Sequence, residues 1–403
     1  MRIVFLNPGA ALGGAETALL DLLAALREAR PNWTMNLITS AEGPLVARSA
    51  ALGVPSTPLT FPKSLASLGE WGTRGSVGGR MRLGAALGRA SVPTARYISR
   101  LRRHLVELAP DVVHTNGLKM HLLGARARPG TARVVWHMHD YPDSRPLTAK
   151  LLSFEASRCS AVIANSESVA KRTRQLLGPA IPVHTVHNSV DLDRFRPEGP
   201  RADLDALANL PRLCPGAIRV GLVGTFAKWK GHDVFLEALA ILQRTSRAVS
   251  GVRGYIIGGP IYETGGSQFS VRELKEIAAS RGLADIVGFT GRIDDVPAAM
   301  RALDIAVHVS VEPEPFGLVV AEAMACGRPV VVSRAGGAAE IAEAGALFHQ
   351  PGNAGELAEC LSQLIGDPGL RASLGDAGRR AALRLFGRQR LSDALVPIYE
   401  SMV

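Results

Sequence analysis

The sequence predicts an α/β protein with two doubly wound domains, each built on a parallel β-sheet. Three observations support this prediction: a length of 403 residues, a hydrophobic fraction of 47% with 20% charged residues, and short β-branched runs that alternate with longer amphipathic stretches. A chain of this length exceeds what one hydrophobic core usually supports. Alternating strands and helices are typical of βαβ units around a parallel sheet.

Two series of predicted strands define the two domains. The first covers residues 3–6, 35–38, 112–114, 133–136 and 161–164, and the second covers residues 218–223, 254–257, 286–289, 305–309 and 329–333. Between them, residues 187–216 hold four prolines and little periodicity, which is typical of a domain linker. We therefore place the N-terminal domain at residues 1–190 and the C-terminal domain at residues 191–384. A final helix of about residues 385–403 is expected to pack back on the N-terminal domain.

The cellular location is predicted from the chain start, the apolar runs and the cysteines. The first strand-like run begins one residue after Met1, which leaves no space for a signal peptide. No apolar run approaches the roughly 20 residues of a membrane-spanning helix. The cysteines are far apart and have no metal-ligand spacing. We expect a cytoplasmic protein with no metal site and with four buried, reduced thiols, at Cys159, Cys214, Cys326 and Cys360.

The net charge of +10, with a pI near 9.9, suits three kinds of partner: nucleic acid, an anionic membrane surface or a phosphorylated substrate. Aromatic residues make up only 5% of the chain, and no nucleic-acid-reading motif is present. The sequence therefore disfavours nucleic acid as a partner. Salt-sensitive retention on DNA or RNA at physiological ionic strength would revive that alternative.

A basic segment lies between Glu70 and Glu107, where no acidic residue occurs. Residues 69–89 are rich in Gly and Arg and are predicted to form an exposed loop or a loosely packed helix. From residue 94 onward, apolar residues recur at helical spacing and arginines occupy another face, which predicts an amphipathic helix. Two interpretations stay open, contact with an anionic membrane and a solvated basic face. The arginines of the segment are Arg74, Arg80, Arg82, Arg89, Arg96, Arg100, Arg102 and Arg103.

A glycine-rich turn follows the first predicted strand. Gly13 and Gly14 stand between Asn7 and a predicted helix. Glycines let the backbone approach a ligand closely, and a helix N-terminus attracts an anion. The spacing is not G-x-G-x-x-G, so simple turn chemistry explains the segment equally well.

The first predicted strand of the second domain leads into a turn with Thr225 and two lysines, Lys228 and Lys230, just before a helix. Open α/β sheets bind ligands at the carboxyl ends of their strands. The helix dipole disfavours cations at this end, so a functional role for Lys230 is favoured over a solvated one. Lys230 is a candidate for neutralising a diphosphate.

The most informative segment runs through Glu314 and Glu322 after the predicted strand at residues 305–309. Pro315 and Gly317 form a turn before a helix, and Glu322 lies inside that otherwise apolar helix. A glutamate in such a helix needs a partner, because burying an unpaired charge is costly. A pair of ligand hydroxyls would supply one.

The stretch EPFGLVVAEAMACGRPVV, with seven residues between Glu314 and Glu322, resembles the signature of the retaining GT-B glycosyltransferases of family four. Further motifs follow the order seen in that family: GGAE at residues 13–16, the His139–Asp140 pair, ANS at 164–166, HNSVDLDRFRP from His187 and WKGHD from Trp229. The resemblance covers nearly the whole chain. It implies the GT-B fold, in which two Rossmann-like domains face a deep interdomain cleft.

The resemblance also implies a role for each matching residue in binding a nucleoside-diphosphate sugar. Glu322 would accept hydrogen bonds from the ribose, and Glu314 would lie near the hydroxyls of the transferred sugar. His139 would bond the donor sugar near the reacting carbon, although His137 competes for that role. Lys230, Gly13 and Gly14 would approach the diphosphate, the backbone of Phe316, Gly317 and Leu318 would contact sugar and phosphate, and Arg292 and Ile293 would lie near the base.

One position departs from the family pattern. Thr225 stands where the family often has an arginine, and it offers one hydroxyl where a guanidinium would grip a diphosphate with two hydrogen bonds. Lower donor affinity or an unusual donor follows, unless Lys228 compensates.

The implied reaction is transfer of the sugar, with retention, to a glycan or lipid-linked acceptor in polysaccharide or glycoconjugate biosynthesis. No metal or other cofactor is expected, and Lys230, His139 and Glu314 are the candidate catalytic residues. Two alternatives remain from other classes, a sugar-nucleotide epimerase or hydrolase on the same fold and a basic nucleic-acid-binding protein. Turnover of donor without acceptor would indicate the epimerase or hydrolase.

Overall fold

The computed structural model describes residues 1–66, 77–245, 251–260, 267–342 and 345–403. In the helix that begins at residue 77, side chains are described from residue 88 onward. The chain divides into two compact units. Unit 1 comprises Met1–Asn188 and Arg388–Val403, and unit 2 comprises Ser189–Gly387.

Unit 1 is built on a seven-stranded parallel sheet of order β3-β2-β1-β4-β5-β6-β7. Alternate residues of its first strand point to opposite faces: Ile3 and Phe5 join one hydrophobic cluster, and Val4 and Leu6 join the other. Helices therefore cover both faces. The strands are β1 (Arg2–Asn7), β2 (Thr34–Thr39), β3 (Ser56–Pro58), β4 (Val112–Asn116), β5 (Arg133–Met138), β6 (Ala161–Ala164) and β7 (Val183–Thr185). The helices are α1 (Gly14–Ala29), α2 (Pro44–Ala51), α3 (Lys63–Ala66), α4 (Val77–Leu108), α5 (Leu118–Ala127), α6 (Pro146–Glu155) and α7 (Glu167–Leu177).

Unit 2 repeats the design with a six-stranded parallel sheet of order β10-β9-β8-β11-β12-β13. Its strands are β8 (Ile218–Val223), β9 (Val252–Ile257), β10 (Val287–Gly291), β11 (Ile305–His308), β12 (Val330–Ser333) and β13 (Ala346–His349). Its helices are α8 (Leu204–Leu207), α9 (His232–Thr245), α10 (Val271–Ser280), α11 (Val296–Ala302), α12 (Leu318–Ala325), α13 (Gly336–Ala342), α14 (Ala354–Gly366) and α15 (Pro368–Leu385). The two sheets confirm the predicted fold class of two doubly wound α/β domains.

The last helix, α16 (Arg388–Glu400), belongs to unit 1 although it follows unit 2 in the chain. Its apolar residues Leu391, Leu395 and Tyr399 join the cluster that α1 also lines. Arg388 adds an ion pair to Asp21 of α1, with 3.0 Å between Nη2 and Oδ1. An amphipathic helix thus completes one face of the unit 1 sheet.

The proline-containing segment after residue 190 packs on unit 2 and does not form a free linker. Phe195 and Leu204 are buried in a hydrophobic cluster of unit 2. The Arg301 guanidinium donates to the backbone carbonyls of Pro200 and Arg194, at 2.7 and 3.2 Å. The segment is therefore fixed by burial and by an arginine that satisfies its backbone acceptors.

The basic segment forms most of α4. Residues 77–89 are helical, whereas residues 69–76, including Arg74, lie outside the described residues. Leu101 and Leu105 are buried, and Arg96, Arg100, Arg102 and Arg103 are exposed, so the basic outer face of the predicted helix is confirmed. None of the helices in the described ranges has both the length and the hydropathy that crossing a bilayer requires.

One prediction about the cysteines is wrong. Cys159, Cys326 and Cys360 are buried, but Cys214 is exposed. It lies in the proline-containing segment before β8, where the chain runs over the surface of unit 2.

Candidate functional site

The candidate site of unit 2 lies where the winding of its sheet reverses. Strands β8 and β11 are neighbours, but the chain leaves β8 toward β9 on one side and reaches β11 on the other. The carboxyl ends of two such strands leave a crevice between the loops that follow them, and open α/β sheets bind ligands there. Lys230 follows β8, and Glu314 follows β11.

A close backbone approach joins these two loops. Gly231 adopts φ 73°, and a Cβ added there would lie 2.1 Å from the carbonyl oxygen of Val309. Only glycine fits this position. Beside it, the amide of Val311 donates to the carbonyl of Trp229 at 2.8 Å. The short 3-10 turn Lys228–Lys230 is therefore fixed against the end of β11.

Four side chains converge at this point. Lys230 Nζ lies 2.7 Å from both Oε1 and Oε2 of Glu314. His308 Nε2 lies 2.7 Å from Oε2, and Ser310 Oγ donates to the same oxygen at 2.9 Å. The side chains of Lys230 and Glu314 are only 16% and 12% exposed. We call Lys230, His308, Ser310 and Glu314 the carboxylate cluster.

The electrostatics of the carboxylate cluster keep Glu314 ionised. Burial alone would raise the pKa of Glu314, but the Lys230 ammonium and His308 hold it well below its ordinary value. The carboxylate is therefore negatively charged at neutral pH, and its charge is balanced mainly by Lys230.

The loop from Glu314 into α12 is also fixed by backbone contacts. The carbonyl of Glu314 accepts from the amide of Gly337 at 2.8 Å. Gly317, the residue before α12, adopts φ 85°, and a Cβ there would lie 2.6 Å from Cβ of Ala338. Phe316 is buried, and Leu318 begins the helix. Glu322 lies inside α12 and is 9% exposed, as expected for a buried glutamate in an apolar helix.

Other predicted donor-binding residues lie on loops at the same edge of the unit 2 sheet. Thr225 is half-buried in the turn after β8. The ammonium of Lys228 is 5.5 Å from the centroid of the Phe269 ring, so this cation is placed over an aromatic face. Arg292, after β10, is exposed, and Ile293 is half-buried against a hydrophobic cluster.

In unit 1, the glycine-rich turn is closed by Glu16. Oε2 of Glu16 accepts from the Gly13 amide at 3.1 Å, and Oε1 accepts from Asn7 Nδ2 at 3.2 Å. This capping arrangement occupies an amide that the sequence analysis left free for a phosphate. Gly14 is exposed, and a Cβ there would meet no atom within 4 Å.

A buried chain of hydrogen bonds runs through unit 1 from α16. The hydroxyl of Tyr399 lies 2.8 Å from His114 Nδ1, and His114 Nε2 lies 3.2 Å from His137 Nδ1. The rings of His137 and His139 have centroids 4.1 Å apart. His139 Nε2 lies 3.0 Å from Asn116 Oδ1. Because an amide oxygen only accepts, His139 carries its proton on Nε2 and turns the lone pair of Nδ1 away from Asn116.

These histidines are neutral. Burial and the neighbouring His139 lower the pKa of His114 to about 3, and burial lowers the pKa of His139 to about 4. Burial also lowers the pKa of His137, and the neighbouring His139 and His114 add to this effect. Of the two candidates in the sequence, His139 is half-buried and His137 is buried at 3% exposure, so His139 is the more accessible to a ligand.

The structure brings Lys230 and Glu314 into direct contact and adds His308 and Ser310 as partners of Glu314. In unit 1 it adds three further partners that the sequence did not predict, which are Glu16 for Gly13, Asn116 for His139 and Tyr399 for His114. Asn116 and His308 each end a buried strand, a position whose polar side chains could have marked them as site residues. Within the described ranges, no group of three or more His, Cys, Asp or Glu is arranged to hold a metal ion.

Comparison with known families decides the identity of the chain. Residues 12–194 match the family model described as Glycosyltransferase Family 4, and residues 215–381 match the one described as Glycosyl transferases group 1. The chain belongs to the GT-B glycosyltransferases of family four. The two matches cover most of both units, which confirms the resemblance and the GT-B fold.

Curated relatives of this family-four chain include the D-inositol 3-phosphate glycosyltransferase 2 of Catenulispora acidiphila, 34% identical over 252 residues. A D-inositol 3-phosphate glycosyltransferase of Salinispora arenicola is 35% identical over 263 residues. Each match covers 60% of this chain and 56% of the relative. The chain therefore spans little more than half the length of the curated relatives it matches.

Solved structures of other GT-B proteins superpose over the whole family-four chain. Anabaena HepE, crystallised with UDP, gives a TM-score of 0.76 at 25% identity, and all of both chains is covered. Sucrose-phosphate synthase from Thermosynechococcus elongatus gives a TM-score of 0.77 at 19% identity and covers 100% of this chain and 99% of its own. The second likeness concerns the fold alone.

Proposed function

We propose that this chain is a retaining glycosyltransferase that moves a sugar from a nucleoside-diphosphate sugar to a glycan or lipid-linked acceptor. The carboxylate cluster carries the proposal, because it places a cation and a fixed anion at the winding reversal of unit 2. The Lys230 cation can neutralise a diphosphate, and the Glu314 carboxylate can accept hydrogen bonds from sugar hydroxyls.

Unit 2 is proposed to bind the donor nucleotide. Glu322, which is buried inside α12, would accept hydrogen bonds from the ribose hydroxyls. The backbone of Phe316, Gly317 and Leu318 would contact phosphate and sugar at the start of α12, where helix amides attract an anion. Arg292 and Ile293 would lie near the base.

The proposed chemistry is electrostatic. Cleavage of the donor leaves a diphosphate and an oxocarbenium-like sugar, and Lys230 would stabilise the leaving diphosphate while Glu314 binds the hydroxyls of the sugar. The donor phosphate would help to accept the proton of the acceptor, so that the anomeric configuration is retained. Thr225 provides no charge at this place, and we expect lower donor affinity than an arginine would give.

His139 of unit 1 is proposed to bond the donor sugar. Its Nδ1 is buried and has no hydrogen-bond partner among the described residues. A neutral imidazole with a free lone pair can accept a hydrogen bond from a hydroxyl. Gly13 and Gly14 are proposed to approach the diphosphate through Gly14, because the amide of Gly13 is occupied by Glu16.

The comparisons support a nucleotide-sugar donor. HepE was crystallised with UDP and with UDP and glucose, and the curated relatives are named D-inositol 3-phosphate glycosyltransferases. We propose a uridine-diphosphate sugar as the first donor to test.

An anionic membrane surface is proposed as a further partner, with the chain peripheral on the inner face of the cytoplasmic membrane. Arg96, Arg100 and Arg103 are exposed on one side of α4, while Leu101 and Leu105 hold the helix to the core. Such a basic face attracts anionic lipids and would bring the chain to a lipid-linked acceptor.

The proposed function is tested by incubating the chain with a uridine-diphosphate sugar, with and without acceptor glycans or lipids. Release of UDP that requires an acceptor, with the sugar recovered on that acceptor in the donor's anomeric configuration, is expected. Equal release without acceptor would support a hydrolase, and an altered sugar nucleotide would support an epimerase.

A further inference from the structure

His308 belongs to none of the motifs that place this chain in its family, yet it touches the candidate catalytic carboxylate. It is the last residue of β11 and is 7% exposed. Its backbone carbonyl lies 3.3 Å from His349 Nε2 on β13, which anchors the strand end from which the ring projects. The ring is therefore fixed at its backbone and at its tip.

The two carboxylate oxygens of Glu314 have different numbers of hydrogen-bond partners. Oε1 is bonded to Lys230, whereas Oε2 is bonded to Lys230, His308 and Ser310. Ser310 Oγ also lies 3.1 Å from His308 Nε2, so the hydroxyl and the ring share one carboxylate oxygen. His308 Nδ1 is buried and has no partner in the described part of the chain, which directs the hydrogen-bonding capacity of the ring to Nε2.

Under the proposed function, two anions compete for the Lys230 ammonium: the Glu314 carboxylate and the donor diphosphate. A donor diphosphate would draw the ammonium toward its oxygens, and the bonds from Lys230 to Glu314 would weaken. Without another hydrogen-bond donor to hold it, the Glu314 carboxylate would no longer be fixed in the position that binding of the sugar hydroxyls requires. His308 and Ser310 contact Glu314 independently of Lys230 and remain on β11 and its following loop.

We propose that His308 is a positioning residue for Glu314, which it holds by a hydrogen bond from Nε2 while Lys230 serves the donor diphosphate. This inference rests on the proposed function and deepens it. His308 itself is not assigned a contact with the donor. His308 acts on the reaction only by holding Oε2 of Glu314 in place.

The test compares two substitutions of His308. Leucine removes the donor, and glutamine keeps a donor at a position similar to Nε2. A hydrogen bond to a charged group is worth about 1.5–3 kcal/mol, so His308→Leu should lower kcat by about 10- to 100-fold and change the Kd for UDP by less than about 3-fold. His308→Gln should restore kcat to within about 3-fold of the wild type.

A double-mutant cycle shows whether His308 acts through Glu314. In a Glu314→Gln background, His308→Leu should lower kcat by less than about 2-fold, because the carboxylate it serves is gone. His232→Leu is the matched control: His232 is fully buried in unit 2, and no hydrogen bond links it to Glu314. Equal losses in both backgrounds, or no recovery with glutamine, would overturn the proposal.

A failure of the proposed function would be recognised separately. If the wild type transfers sugar from none of the donors, the proposed function is contradicted. The double-mutant cycle of His308→Leu and Glu314→Gln is then measured on the midpoint of urea unfolding. Non-additive effects of His308→Leu and Glu314→Gln would support the positioning contact. Additive effects would overturn it.

Discussion

Lys230 Nζ contacts both carboxylate oxygens of Glu314 at 2.7 Å, although the two residues are 84 positions apart in the sequence. From the sequence, Lys230 is expected at a diphosphate and Glu314 at a sugar. Their contact means that a change in either residue alters the electrostatic surroundings of the other. Variants of this pair therefore need controls that separate stability from catalysis.

Removal of the Lys230 cation should destabilise unit 2. Lys230→Met leaves a buried carboxylate without its cation, which costs about 3 kcal/mol at pH 7. Lys228→Met, which removes an exposed lysine of the same turn, should have little effect. Urea unfolding monitored by circular dichroism measures both.

The pH dependence gives the sign of the Lys230 effect. The pKa of Glu314 is depressed in the folded chain, so the pair stabilises the fold above the ordinary glutamate value, near 4.5, and this stability is lost as pH falls below it. The difference between wild type and Lys230→Met should therefore shrink toward pH 4. A difference that grows on acidification would contradict the ion pair.

The two glutamates of the family signature should fail in different ways. Glu322→Ala removes the proposed ribose acceptor and should weaken the Kd for UDP about tenfold, as expected for a lost hydrogen bond to a charged group. Glu314→Gln should mainly lower kcat. Calorimetric titration with UDP and steady-state turnover measure the two effects. Equal loss of UDP affinity in both variants would contradict this division.

The buried histidines of unit 1 should make the fold sensitive to acid. His114 has a folded pKa of about 3 against an ordinary value of 6.5, so the unfolded chain binds the proton first. The contribution of His114 to stability is fully present above pH 6.5 and should fall by about 1.4 kcal/mol for each pH unit below it, down to pH 3. His114→Gln should reduce this slope in urea unfolding from pH 7 to 4.5.

The basic face of α4 should bind anionic vesicles. Flotation with liposomes that contain phosphatidylglycerol should recover the wild type but not the variant in which Arg96, Arg100 and Arg103 become glutamate. Recovery should fall with added salt, because exposed charges are screened. Equal flotation of wild type and variant would show that the face is merely solvated.

The sequence predicted the central strands well because they are buried on both faces and read as continuous apolar runs. Residues 161–164 and 218–223 coincide with β6 and β8. The missed strands β3, β7 and β13 each form one edge of a sheet, and they are short and largely half-buried. They therefore lack the longer apolar runs of the central strands.

The site was only partly predictable for a related reason. Motifs marked Glu314, Glu322 and Lys230, but sequence spacing could not show that Lys230 bonds Glu314. That contact depends on the close approach of Gly231 to Val309, which joins two loops from neighbouring strands. The contact of Tyr399 with His114 likewise arises from the return of α16 to unit 1.

Glycosyl transfer by this chain is tested most directly by the turnover of a panel of uridine- and guanosine-diphosphate sugars in the presence and absence of candidate acceptors. We expect saturable binding of one donor, sugar transfer that depends on an acceptor, and retention of the anomeric configuration. Failure of every donor in the panel to bind at millimolar concentration, or inversion of the transferred sugar, would contradict it.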